Sequence, residues 1–134
     1  MTAQFRKFLI MSSVVGLIFG LLRAGELSND SLATVQENVA THKAVIVDVR
    51  EPGEWKDGHL EGAISLPLSS LKQGVDANAL EQQLPEGKIV YTHCVMGIRA
   101  LAAAKILGKA GYNVRPLKAG YEDLIKAGFA KAAQ

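Results

Sequence analysis

From Lys43 to Arg50 the chain reads KAVIVDVR, a continuous apolar run of strand length bounded by charge. That is how a strand buried on both faces of a parallel sheet reads. Ahead of it, SNDSLATVQENVA offers Ser, Asn and Asp as caps and then Leu32, Val35 and Val39 at helical spacing, which predicts a short amphipathic helix. Pro52 stands where a first helical turn tolerates proline, and AISLP from Ala63 predicts a short strand stopped by Pro67. A further helix is expected in DANALEQQLPEGK, with Leu80 and Leu84 on one side and a break at Pro85 and Gly87. KIVYTH then predicts a third strand. From Ile98 to Ala110 the spacing puts Ala102, Ala103, Ile106, Leu107 and Ala110 on one face and Lys105 and Lys109 on another, with Gly111 after the helix end. NVRPLK and YEDLIKAGF complete a strand and a helix. Strands alternating with helices through short linkers imply an α/β fold with a mainly parallel central sheet and right-handed crossovers.

The first segment differs in kind. Arg6 and Lys7 precede an uncharged apolar stretch from Phe8 to Leu22, and Arg23 comes directly after it. This is the layout of an export signal, and fifteen apolar residues suit its core better than the ~20 of a membrane span. A cut after Ala24 would put Leu22 where a small residue is preferred, so residues 1–25 are expected to be a signal peptide or, uncleaved, a membrane anchor through residues 8–22. A buried N-terminal helix is the structural alternative. Basic residues on the N-terminal side favour export of the rest of the chain, giving a periplasmic or anchored extracytoplasmic domain over residues 26–134.

Composition changes the picture little. With 134 residues, 49% hydrophobic and 21% charged, one globular domain with a modest core is expected. A net charge of +2 without a long basic run gives no footprint for nucleic acid. His42, His59 and His93 are scattered without paired spacing, so no metal site is expected. Cys94 is the one cysteine and cannot form an internal disulfide. It is either a small buried hydrophobe or a free reactive thiol.

Its position favours reactivity. In a parallel α/β sheet, ligands sit beyond the carboxyl ends of strands, where loops meet helix N-termini, and Cys94 lies at such a place. Backbone N–H groups from Val95 to Arg99 are expected to turn around the sulfur, with Gly97 supplying a conformation other residues resist. The positive end of the helix starting near Ile98 and the cation of Arg99 both favour a thiolate. His93 is the neighbouring strand residue, so its ring points to the opposite face and a structural role is expected for it.

Two stretches resemble the single-domain rhodaneses, a sulfurtransferase family. DVREPGEWKDGHLEGAISLP is similar to the family's first signature through Asp48, Val49, Arg50, Glu54, Trp55, Gly58, His59, Gly62, Ala63 and Pro67, and CVMGIR is similar to its active loop. The likeness runs from about Ala44 to Phe129. It implies a rhodanese-like three-layer fold in which Cys94 accepts a sulfane sulfur as a persulfide and passes it to a thiophilic acceptor. Cys94 and Arg99 would then be catalytic, and Val95, Met96, Gly97, Ile98 and Arg50 substrate-binding, with no cofactor. Asp48, Arg50 and His59 also fit a framework of a buried ion pair and a helix-capping imidazole. The donor would be thiosulfate or a persulfide, the acceptor a small thiol, cyanide or a protein thiol. The chain has Ala119-Gly120 where relatives often have a Gly-Gly pair, Leu124 where they often have Trp, and apolar Val95 and Met96 where thiosulfate users often carry a basic residue.

Two other functions compete. A cysteine phosphatase or arsenate reductase also uses a cysteine and an arginine around an anion loop, but that loop is one residue longer. Here four residues separate Cys94 from Arg99, and the tighter ring suits a single sulfur atom better than a tetrahedral oxyanion. A non-catalytic binding or persulfide-carrier module is the other. With no second cysteine in the chain, any persulfide must be relieved by another molecule.

Overall fold

The computed structural model describes residues 25–134. The expected signal or anchor of residues 1–25 therefore lies outside the described residues except for Gly25. No described helix is long and apolar enough to cross a membrane.

The elements are α1 (Leu32–Ala40), β1 (Ala44–Asp48), α2 (Pro52–Asp57), β2 (Ile64–Ser65), α3 (Leu68–Lys72), α4 (Ala77–Gln83), β3 (Ile89–His93), α5 (Ile98–Lys109), β4 (Asn113–Pro116) and α6 (Tyr121–Lys126). Ser31 caps α1, its hydroxyl accepting from the Thr34 amide at 3.1 Å, and Asp76 caps α4 through the Ala79 amide at 2.8 Å. The four strands are all parallel in the order β2-β1-β3-β4. The register pairs Ala44 with Ile89 and Asp48 with His93, so the central strands end level and Cys94 is the first residue beyond them.

Helices cover both faces of this sheet. Val47, Val49, Val90 and Val114 pack with leucines and alanines of α3, α4 and α5, whereas Ala44, Ile46 and Tyr91 pack with Val35 of α1 and Leu124 of α6. The two-residue alternation of strand side chains produces this division. Full burial of side chains such as Leu107 and Leu124 contributes about 1.5–3 kcal/mol each. Near the N-terminal side, the Ser28 amide donates to the Pro116 carbonyl at 2.7 Å, and Asp30 accepts from the Tyr91 hydroxyl at 2.6 Å and from Arg115 at 2.8 Å.

Two expectations are corrected. The stretch after Pro67 carries a helix that the sequence pattern did not predict, because α3 spans only 5 residues, too few to display a period, though it buries Leu68 and Leu71. The inward face of α5 is also rotated from the expected one: Ala100, Ala103, Ala104, Leu107 and Gly108 are buried, Ala102 and Ile106 only partly, and Ala110 is exposed. The start of the helix sets this rotation. The buried Thr92 hydroxyl donates to the Ala100 carbonyl at 2.9 Å, turning the small residues Ala100, Ala104 and Gly108 toward the sheet.

Candidate active site

Cys94 follows β3 directly and is 1% exposed. Its Sγ accepts hydrogen bonds from the Gly97 amide at 3.2 Å and the Ala100 amide at 3.4 Å. Gly97 is the N-cap of α5 and Ala100 lies in its first turn, so the sulfur receives N–H groups that a helix start leaves without internal partners. These groups carry the positive end of the helix dipole. Sequence reasoning expected amides from Val95 to Arg99 around the sulfur. Gly97 fulfils this, and Ala100, one residue outside the expected set, supplies the second bond.

Gly97 has φ +93°, a left-handed conformation that a side chain resists. A Cβ there would also approach the Lys118 Cα to 3.1 Å and the Leu117 carbonyl to 3.3 Å. The loop thus leans on the turn before α6. The Tyr121 amide donates to the Cys94 carbonyl at 3.0 Å, and Gly120 lies against the Val95 carbonyl with no room for a Cβ. Around the buried sulfur the rim is apolar: Val95, Met96 and Ile98 are 50%, 70% and 74% exposed. A groove of about 470 Å³ beside it is lined by Val95, Met96, Lys118, Ala119 and Asp123.

Arg99 makes a bidentate pair across the molecule with Glu54 of α2, Nη1 to Oε1 at 2.6 Å and Nη2 to Oε2 at 3.0 Å. Glu54 Oε1 also accepts the Glu51 amide at 3.1 Å, which fastens the start of α2. The guanidinium draws the Glu54 carboxyl down to about 2, while Arg99 itself is shifted up, chiefly by that hydrogen-bonded partner. Glu54 belongs to the first motif, but nothing in the sequence joined it to a residue 45 positions away.

Arg50, expected to bind substrate, makes no hydrogen bond to the loop. Its guanidinium holds both Asp48 oxygens, with Nη2 to Oδ2 at 2.8 Å, donates to the Gly58 carbonyl at 2.7 Å, and lies 4.4 Å from the Tyr121 ring centroid. With Asp48 fully buried, this is the framework ion pair that the sequence also allowed. His59 likewise stacks on Trp55 with centroids 3.6 Å apart, its Nδ1 2.9 Å from the Trp55 carbonyl at the end of α2.

His93 is fully buried, makes no hydrogen bond to the sulfur, and has its Nε2 3.8 Å from Asp48 Oδ2 without a hydrogen-bond partner. Burial lowers its pKa below 6.5, outweighing the opposing pull of Asp48, and keeps it neutral. The unfolded chain therefore takes up a proton at His93 as pH falls through 6.5, while the folded protein does not until its own lower pKa is reached. Stability should fall with pH across that window. His93→Leu should flatten this slope, measured as melting temperature between about pH 7.5 and about pH 5.5, and an unchanged slope would assign the titration to other groups.

The geometry describes a buried thiol held by two backbone amides at the mouth of a parallel sheet. Residues 31–127 match the family model described as the rhodanese-like domain. Over 81 residues, 60% of either chain, the sequence is 38% identical to "Uncharacterized protein YqhL" of Bacillus subtilis. A 71-residue stretch, 53% of this chain, is 31% identical to 17% of "Probable adenylyltransferase/sulfurtransferase MoeZ" of Mycobacterium tuberculosis. The matches thus span 60% and 17% of these relatives' lengths. The solved rhodanese-related protein of Thermoplasma volcanium has a TM-score of 0.62 at 26% identity, over 77% of this chain and 95% of its own.

Proposed function

The chain belongs to the rhodanese-like domain family, and from that premise we propose that it is a sulfurtransferase that carries sulfur as a Cys94 persulfide. The observation that carries this reading is the Sγ of Cys94 held by two amides at the start of α5, inside a loop with four residues between cysteine and arginine. A thiolate there attacks the sulfane sulfur of the donor. The new Cys94 S–S bond forms as the donor's own bond to that sulfur breaks, and the leaving group departs with the electron pair, as sulfite from thiosulfate or a thiolate from a persulfide. The outer sulfur of the persulfide is then attacked by a thiolate or cyanide acceptor, and Cys94 leaves as the thiolate. Loop amides stabilise negative charge on either sulfur without reorganising. The sequence supports an extracytoplasmic or membrane-anchored site of action, through the charge-flanked run at residues 8–22.

Phosphoryl or arsenate chemistry fits less well. It needs a longer loop and a proton for the leaving group, whereas Glu54 is ionised in its pair with Arg99, Asp48 is bound by Arg50, and Asp123 accepts the Gly120 amide at 3.2 Å. The test is a side-by-side turnover measurement. Sulfur transfer to cyanide should proceed with thiosulfate or a persulfide donor, and p-nitrophenyl phosphate should remain unhydrolysed. Phosphate release exceeding sulfur transfer would reverse the assignment.

A further inference from the structure

The loop's own cation, Arg99, is already paired. Arg99 and Glu54 bind fork to fork, both hydrogen bonds between charged groups and both side chains only about a third exposed (31% and 36%). Such bidentate pairs combine strength with fixed orientation. Among the described residues, the other charges around them add no net positive charge. Glu51 and Cys94 both act electrostatically on Arg99, and Arg50, which acts on Glu54, is held by Asp48. In the adjoining groove the exposed Lys118 and Asp123 contribute one charge of each sign. The exposed rim is Val95, Met96 and Ile98, without charge. With Cys94 as a thiolate, the loop and its Arg99–Glu54 pair together carry net negative charge, and a dianion approaching the sulfur meets repulsion.

Resting on the sulfurtransferase reading, we infer that Glu54 is a positioning residue that sets donor choice: by neutralising Arg99 it makes the loop favour organic persulfides, whose transferable sulfur carries at most one charge, over dianionic thiosulfate. Glu54 touches no reacting atom. It acts through the orientation and net charge of Arg99.

Glu54→Gln keeps an amide oxygen for the Glu51 N–H and the shape of the pair but removes the negative charge. In steady-state kinetics the variant should show a KM for thiosulfate lowered by about 3- to 10-fold, with kcat within about twofold. Its KM for cysteine persulfide should move by less than about twofold. A merely structural role for Glu54 would not lower KM for one donor alone. A measurement on the unaltered protein gives a second reading: added potassium chloride should not raise the thiosulfate KM of the wild type, since screening relieves repulsion, and the KM of the variant, whose site is nearly neutral, should respond less. The inference is overturned if the thiosulfate KM is unchanged or higher in Glu54→Gln, if both donors gain alike, or if the wild-type KM climbs with salt. Intact-mass measurement of the wild type after each donor separates the two levels. Sulfur loading of Cys94 without the expected KM pattern overturns only the role of Glu54, whereas no loading from either donor overturns the sulfurtransferase reading itself.

Discussion

Cys94→Ser should leave a folded protein that transfers no sulfur. The hydroxyl is close in size to the thiol and can accept the same Gly97 and Ala100 amides that now reach Sγ at 3.2 and 3.4 Å. The helix start of α5 therefore keeps its partner, and the melting temperature should move by no more than a few degrees, about what a change of 1 kcal/mol produces. The chemistry does not survive. An alcohol is barely ionised at neutral pH and is a poor nucleophile toward sulfur, so kcat/KM should drop by about a thousandfold or more. Turnover within about tenfold of the wild type, in a protein with an unchanged melting curve, would remove Cys94 from the mechanism.

Gly120→Ala should disable the same loop from the other side. The backbone at Gly120, with φ −91° and ψ −177°, suits alanine, so conformation is not the obstacle. Space is: the added Cβ would overlap the Val95 carbonyl, lying 2.6 Å from its carbon and 2.9 Å from the Val95 Cα. These are backbone atoms, and moving them moves the residue next to Cys94. The neighbouring Tyr121 amide, 3.0 Å from the Cys94 carbonyl, would be displaced in the same step. Relieving an overpacked contact of this kind typically costs about 1–3 kcal/mol, and sulfur transfer should fall by at least about tenfold. Gly53→Ala is the control, because nothing lies within 4 Å of its Cβ position on α2 and stability should hold or rise slightly. Equal melting temperatures and equal turnover for the two variants would mean that the turn before α6 does not support the loop.

The parts of this site that were legible in the sequence are those set by local pattern. The apolar runs of β1 and β3, the spacing in α1 and the glycine three residues after Cys94 each arise from neighbours in the chain, and together they put the thiol at a strand end ahead of a helix. What was not legible depends on contacts between distant residues. Glu54 reads as part of a motif beginning a helix, and only the crossing of α2 toward α5 brings it onto Arg99. The Ala100 amide could not be told from other helix-start amides until Thr92 was seen to fix the rotation of α5. Gly120 stood out only as half of an expected glycine pair, and its reason, close approach to Val95, belongs to the packed loop. Arg50 was legible only in part. A basic residue near a strand end suggests an anion site, yet burial beside Asp48 gives it a partner within the framework.

The most direct measurement is the intact mass of the purified protein before and after incubation with thiosulfate and, separately, with cysteine persulfide. A sulfurtransferase working through Cys94 gains one sulfur atom per chain from at least one donor, loses it to dithiothreitol or cyanide, and gains none as Cys94→Ser. Absence of any gain from both donors, or an equal gain in Cys94→Ser, would contradict a Cys94 persulfide.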